Sequence, residues 1–334
     1  MKILITGAAG FVASHIIEFL NKNHDEYKIV GIDNLSYGYK ERLDNLSLYF
    51  IESDLNNIDK IKMENVNAII HTAAIAPLPD NEIDPSKSYT ENVVNTIRVA
   101  EYATKIGCKK IIFLSSGAIY ENDATFPSKE REHLKTSLVY PTTKMCAEHA
   151  LGAYSRSYGI STYALRLFNL YGPRQDYFRK HPPLIGYLLK CIFNDEVATL
   201  YSDGHQKRDY VFINDLAKVI INLLEIDDKK IGITPLNIGS GVATSVNEIV
   251  DVLNKISQKE LIIKRNHSSD FWKKYESIFT KKMSLDLNIL DKEVNKYTLS
   301  ENTNLHNITN LKCTTSIEDG LRECYDYAKR YFQK

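Results

Sequence analysis

Cysteine is scarce and scattered in this chain. Cys108, Cys146, Cys191, Cys313 and Cys324 are odd in number and share no close metal-ligand spacing. That usage argues against a zinc site or a disulfide framework and fits reduced thiols in a cytoplasmic protein. An excess of one charge is missing too, since lysine plus arginine and aspartate plus glutamate number 42 each. Without a basic field or an acidic tail, nucleic acid is not an expected partner. Nor is there a long apolar run: Met1-Lys2 leads straight into Ile3-Leu4-Ile5. No later stretch approaches the roughly 20 residues of a membrane span, so a soluble protein without membrane association is expected. Repeats and low-complexity linkers are also absent. The 334 residues therefore read as two closely joined units.

What is present begins with a strand, a tight glycine turn and a helix. Lys2 to Thr6 is apolar, breaks at Gly7-Ala8-Ala9-Gly10, and passes into Phe11, Val12, Ile16, Ile17, Phe19 and Leu20 at helical spacing. Gly7 permits the turn, Gly10 lets a pyrophosphate approach the backbone, and the helix N-terminus supplies free N–H groups and a positive dipole end. Ala13 takes the place where a third glycine would allow close helix packing. A second strand, Tyr27 to Ile32, ends at Asp33. This is about 20 residues past the glycine turn, where a carboxylate takes the ribose hydroxyls of NAD and repels the extra phosphate of NADP. Asn34-Leu35-Ser36 follows with no arginine to greet such a phosphate, so NAD is the expected cofactor.

Further strands are expected at Ser47 to Ile51, Asn67 to His71, Lys109 to Leu114 and Ser161 to Leu167, with one long helix from Pro85 to Lys105. Asp54 and Leu55 fall at the adenine edge, and the small residues Ala73 and Ala74 let the backbone come near a cofactor. The fifth strand stops at Ser115-Ser116. In a parallel sheet the carboxyl ends of the strands line the crevice, so these hydroxyls are placed to face a ligand. Tyr140 and Lys144 then stand one turn apart on a helix that has Pro141 in its first turn. An ammonium beside a phenol favours the phenolate, which makes Tyr140 a candidate base for a sugar hydroxyl. A polar loop, Asp203 to Tyr210, carries Lys207 and Arg208, a cationic pair suited to a diphosphate.

These segments taken together, with Arg166-Leu167-Phe168-Asn169-Leu170-Tyr171-Gly172-Pro173-Arg174 and Gly204…Arg208-Asp209-Tyr210-Val211, resemble the extended short-chain dehydrogenases/reductases. Within them the chain looks most like the nucleotide-sugar epimerase/dehydratase branch, with the UDP-glucose 4-epimerases as the nearest type. The resemblance covers roughly the first 250 residues. It implies an α/β fold: a Rossmann-type doubly wound parallel sheet over residues 1–170, and a smaller α/β lobe for the nucleotide sugar over 171–334, one element of which crosses back. It implies NAD as cofactor, Tyr140 as base, Lys144 on the nicotinamide ribose and Ser116 on the reacting hydroxyl. Asn169 and Arg208 hold the diphosphate, while Asn92 and Asp54 support the cofactor. The expected cofactor contacts are thus Gly7, Gly10, Phe11, Val12, Asp33, Asn34, Asp54, Leu55, Ala73, Ala74, Asn92, Tyr140 and Lys144.

Departures narrow the reading. The branch's 4,6-dehydratases carry an Asp-Glu pair after the active hydroxyl residue, and here those positions are Gly117 and Ala118. Dehydration is therefore disfavoured. Ser268 to Lys296 diverges most; it contains the lone Trp272, and Arg265 just before it is a candidate for the branch's late arginine contact. The activity implied is 4-epimerisation of a nucleoside-diphosphate sugar through a 4-keto intermediate. A 4-dehydrogenase that does not return the hydride stays open, and so does an idle NAD-binding protein, although the intact Ser116, Tyr140 and Lys144 argue against the latter. In the relatives two helices of each subunit pair across a homodimer. The apolar faces at Pro85–Lys105 and Pro141–Tyr158 suit such an assembly.

Overall fold

The computed structural model describes all residues except 25, 122–124, 133, 181, 228–230, 281–284 and 334. The first half alternates strand and helix: β1 (Lys2–Thr6), α1 (Phe11–Asn23), β2 (Lys28–Asp33), β3 (Tyr49–Glu52), β4 (Ala68–His71), α2 (Leu78–Ile83), α3 (Pro85–Tyr89), α4 (Asn95–Lys105), β5 (Lys110–Ser116), α5 (Val139–Tyr158) and β6 (Ser161–Leu167). The central strands are apolar on both faces. Ile3, Leu4 and Ile5 of β1, Ile69 and Ile70 of β4, and Ile111 and Ile112 of β5 are all buried, as strands covered by helices on either side must be.

The chain then builds β7 (Asn169–Tyr171), α6 (Leu184–Asn194), β8 (Ala198–Tyr201), β9 (Lys207–Phe212) and α7 (Ile213–Glu225) before returning to the large sheet as β10 (Gly232–Ile238). The remainder is β11 (Ala243–Ser245), α8 (Val246–Ser257), β12 (Ile263–Asn266), α9 (Ser268–Lys273), α10 (Leu287–Asn295), α11 (Thr303–Thr309) and α12 (Ile317–Phe332). The large sheet has seven strands in the order β3-β2-β1-β4-β5-β6-β10, all parallel. Chain direction along the sheet reverses between β1 and β4, and that switch opens a crevice at the strands' carboxyl ends. β7, β9 and β11 form a second small sheet, and β8 pairs with β12 in a third.

Most expected strands shift by one or two residues at an end, the fifth running on to Ser116 where Leu114 was expected. The third strand begins at Tyr49 rather than Ser47. The helix expected from Pro85 to Lys105 is broken by a π turn over Thr90–Val94. The cause is Asn92, whose side chain turns inward: its Oδ1 accepts from Ile75 N at 2.8 Å and its Nδ2 donates to Thr143 Oγ1 at 3.0 Å. A widened turn is how a helix turns one polar side chain aside, and such turns concentrate near functional sites.

Candidate functional site

Gly7 adopts φ +70°, and a Cβ there would meet Thr72 Oγ1 at 2.7 Å and Ala73 N at 2.8 Å. A side chain is thus excluded twice, by backbone conformation and by the close approach of the chain after β4. The groove beside this turn has a volume of about 620 Å³ and runs from Gly7, Gly10, Phe11 and Val12 past Asp33, Asn34 and Leu55 to Ala73, Ala74, Ser116, Tyr140 and Lys144. Asp33 is held in place by its own neighbourhood, accepting Ala9 N at 3.0 Å and Leu35 N at 2.7 Å. Its carboxylate keeps further acceptor sites for a pair of hydroxyls. Glycine turn, bare helix N-terminus and a carboxylate at the end of the second strand fit an NAD molecule laid along the strand ends.

Asp54 and Asn92 sit behind this groove instead of lining it. Asp54 caps the turn that starts at Leu55, accepting Asn56 N at 2.8 Å, and reaches the groove only through Asn34 Nδ2, also at 2.8 Å. Asn92 is fully buried and ties Ile75, Asn81 and Thr143 together, so it fixes the Ala73–Ala76 wall and α5 in register.

The candidate catalytic groups converge from β5 and α5. The helix starts at Val139, two residues before the proline that marks it in the sequence, and its first N–H groups are met by carboxylates. Val139 N donates to Glu82 Oε1 at 2.6 Å, and Ser137 N and Leu138 N donate to Glu121 Oε2 at 2.7 and 3.2 Å. Negative charge at a helix N-terminus is favourable, and here it pins the turn that bears Tyr140. Ser116 Oγ accepts Ala118 N at 3.1 Å, which leaves its own proton for Tyr140. Lys144 Nζ donates to Leu114 O at 2.8 Å and lies 4.9 Å from the Phe113 ring.

The structure changes the expected electrostatics of this trio. Burial raises the Tyr140 phenol above its ordinary range, and the hydroxyl of Ser116, not the ammonium, opposes it. Nζ stands 6.0 Å from the centre of the Tyr140 ring, its bond directed at Leu114. Burial pushes Lys144 itself down to about 8. His71, fully buried between Thr6 and Thr96, is pushed to about 3 by burial first and by the Lys144 charge second, so it stays neutral beside the site.

A second cavity of about 790 Å³ adjoins the first through Ala76, Pro77, Leu170, Gln175, Arg179, Lys180 and Pro183, which line both. Asn169 and Arg208 line it as expected. Arg208 differs from expectation in two ways. It lies in strand β9, not in a loop, and its Nη2 donates to Glu293 O at 2.7 Å while Nη1 stands 3.6 Å from the Glu293 carboxylate. The divergent stretch thus grips the arginine. It also roofs the cavity with Phe271, Trp272, Lys274, Glu293 and Val294, packed around a cluster that joins Trp272, Tyr275, Ile278 and Leu290 to Leu138 just before α5. Arg265 is not in the cavity. It is drawn away by Asn247 Oδ1 at 2.7 Å and Ser202 O at 3.3 Å.

Residues that sequence reasoning missed bridge the rim of the first groove. Tyr39 donates to Asp176 Oδ2 at 2.6 Å, Tyr37 to Asp80 Oδ2 at 3.1 Å, and Arg42 Nη2 to Arg174 O at 3.5 Å. These bonds clasp the loop after β2 to α2 and to the loop after β7, across the groove. Gln175 is buried between the cavities, and its Oε1 has no partner among the described residues, an acceptor left for a ligand hydroxyl or N–H.

A crevice at the switch point, with a hydroxyl, a phenol and an ammonium on its wall, coincides with a sequence match. Residues 3–239 match the NAD dependent epimerase/dehydratase family. The chain belongs to that family. Its members depend on NAD. The UDP-glucose 4-epimerase of Bacillus subtilis is 31% identical over 288 residues, 78% of this chain and 84% of that one. Among solved structures, the UDP-glucose 4-epimerase of Thermotoga maritima with UDP-glucose superposes with a TM-score of 0.83 at 28% identity, covering 99% of each chain. The UDP-glucuronic acid 4-epimerase of Bacillus cereus, in complex with UDP-glucuronic acid and NAD, gives 0.83 at 27%, covering 99% of this chain and 100% of the other. Coverage extends over the whole length, so the divergent roof is a local variation on a shared fold.

Proposed function

We propose that this family member is a nucleotide-sugar 4-epimerase acting through a 4-keto sugar. The observation that carries this is the Ser116, Tyr140 and Lys144 trio lining a dinucleotide groove that adjoins a second cavity with cations at Arg179, Lys180, Arg208 and Lys274. NAD supplies the hydride acceptor at carbon 4 and, as the reduced form, the donor that returns the hydride. Tyr140 Oη takes the proton of the 4-hydroxyl, with Ser116 donating to Tyr140 and orienting the reacting oxygen. Lys144, held by Leu114 O, keeps its remaining N–H bonds for the cofactor groove that it lines. The apolar wall of Ala76, Pro77 and Leu78 offers the sugar few hydrogen bonds, which suits a ring that must present its other face before the proton is handed back.

Return of the hydride is favoured over net oxidation by the clasp of Tyr39 on Asp176 and Tyr37 on Asp80. It encloses the cofactor groove and opposes exchange of reduced for oxidised NAD during a catalytic cycle. Gly117 and Ala118 offer no acid pair for loss of water. UDP-glucose and UDP-glucuronate, bound by the two structural relatives, are the first substrates to test. We also infer a cytoplasmic homodimer built on the outer faces of α4 and α5, where Tyr154 and Tyr158 stack at 5.5 Å and Tyr158 is 56% exposed.

Mass spectrometry and NMR of products, after incubating the NAD-loaded protein with UDP-glucose, UDP-glucuronate and UDP-N-acetylglucosamine, test the reading. The expected result is one substrate turned into its 4-epimer with no net NADH. Stoichiometric NADH with a keto product supports the dehydrogenase instead. Isothermal titration is expected to show NAD bound more tightly than NADP, and light scattering to give twice the chain mass.

A further inference from the structure

Behind Lys144 lies a charge that the reaction scheme leaves unused. Glu148 is one turn further along α5, so it projects toward the sheet on the same face. It is 6% exposed, and three bonds hold it: Ser115 Oγ donates to Oε1 at 2.5 Å, Arg166 Nε to Oε1 at 3.1 Å and Arg166 Nη2 to Oε2 at 2.7 Å. Arg166 of β6 is equally buried and is fixed in turn by the Tyr120 hydroxyl at 2.8 Å and Glu130 O at 3.0 Å. The carboxylate cannot swing, because its two oxygens are fastened to two different strands.

Lys144 is 3% exposed, and its one hydrogen bond goes to Leu114 O. Among the described residues it has no direct ion pair. A buried ammonium without a counter-charge is costly and tends to lose its proton. A direct ion pair would solve that but would also consume the N–H bonds that should face the groove. A carboxylate immobilised one turn away supplies the field without taking those bonds.

We propose that Glu148, locked by Ser115 and Arg166, is a positioning residue that keeps Lys144 charged and aimed at the cofactor groove. The inference rests on the roles given above to Tyr140 and Lys144. The groups that face Lys144 agree with it. On α5 these are Tyr140 and Glu148; on β5, Phe113 and Leu114 O; on β4, the neutral His71. Arg166 of β6 reaches it through Glu148 alone. Burial is the larger influence on Lys144 and lowers it; Glu148 is the one that raises it.

The test is the pH profile of bound-NAD reduction by the UDP-sugar that reacts fastest in the product screen, followed by the absorbance of reduced nicotinamide. In the wild type the rate should fall as pH rises through about 8, where Lys144 loses its proton. Glu148→Gln removes the charge and keeps the shape, so that limb should move down by about one pH unit, the scale of a unit charge at this range in a partly screened interior. Glu148→Asp keeps the charge and should restore the limb even where its rate is lower. An unshifted limb in folded, NAD-loaded E148Q overturns the proposal, and so does an equal shift in E148Q and E148D. Should E148Q lose its fold, E148Q/R166M removes both charges of the buried pair at once, and its limb must still move down. Tyr140→Phe serves as control: if it still reduces bound NAD, the trio has been misassigned, which is separable from failure at Glu148 alone.

Discussion

Asp33 and Arg208 are both charged residues at the edge of a binding cavity, and they are held in opposite ways. Asp33 takes its bonds from two backbone N–H groups, Leu35 in the loop just after its own strand and Ala9 in the turn after the neighbouring strand β1. Arg208 takes its bonds from Glu293 and Val294, 85 and 86 residues away in the chain. The cofactor half is built from local backbone requirements, and the substrate half from long-range closure by a segment that follows no repeated pattern. If that contrast is right, changes in one half should leave binding in the other largely intact.

The largest effect should come where the halves meet. Tyr140→Phe removes an oxygen and keeps the ring, so turnover should fall by about 10²–10⁴-fold, the usual share of a general base. NAD content of the purified protein should not change. Loss of NAD together with turnover would show that the phenol is structural.

Next in size is the roof. Trp272 is buried, its indole donating to Leu290 O at 3.2 Å. Trp272→Ala should cost about 3–5 kcal/mol of stability, as large core deletions do. It should also raise KM for the nucleotide sugar while NAD affinity by calorimetry stays put. Equal losses of both affinities would break the comparison outright.

The reciprocal change is Asp33→Ala. Loss of a charged acceptor for two ribose hydroxyls should weaken NAD by about 10- to 100-fold, from roughly 1.5–3 kcal/mol of charge-assisted bonding. In NAD-saturated protein, KM for the sugar nucleotide should be unchanged.

The remaining effect is a slope and not a step. Burial pushes His15 of α1 and His71 of β4 down to about 3, so both stay neutral in the fold, while in the unfolded chain each takes a proton near the ordinary value of about 6.5. The unfolded state therefore binds more protons between those limits. Stability is complete above about pH 6.5 and declines as pH falls toward 3, by about 1.4 kcal/mol per pH unit for each histidine. Urea unfolding between pH 7 and 5 should show this slope, and His71→Gln should reduce it by about half. An unchanged slope would place the titrating group elsewhere.

The same contrast explains what could be read from the chain. Gly7, Gly10, Asp33, Ser116 and the Tyr140…Lys144 pair could be picked out because each belongs to a short motif, and the structure sets all of them on the lining of one groove. β6 was placed residue for residue, and the parallel sheet came from the family resemblance. Asn92 shows where legibility stops. Its amide looked like a cofactor contact, but it answers to Ile75 and Thr143 and bends its helix to do so. Arg208, Glu293 and the Tyr39–Asp176 bond were equally hidden, since nothing in one partner's neighbourhood specifies the other.

If the bond between Tyr39 and Asp176 retains the cofactor as proposed, it also limits how long each molecule lasts. An enzyme that keeps its own oxidant is indifferent to the ratio of oxidised to reduced nicotinamide around it, because every cycle ends redox-neutral. It carries a matching hazard. Should the keto sugar escape before the hydride goes back, the molecule is left with reduced cofactor that the clasp will not release. Its working life, counted in turnovers, is then the ratio of the rate of hydride return to the rate of ketone escape. Loosening Tyr39 should lengthen that life when fresh NAD is supplied and shorten it when none is.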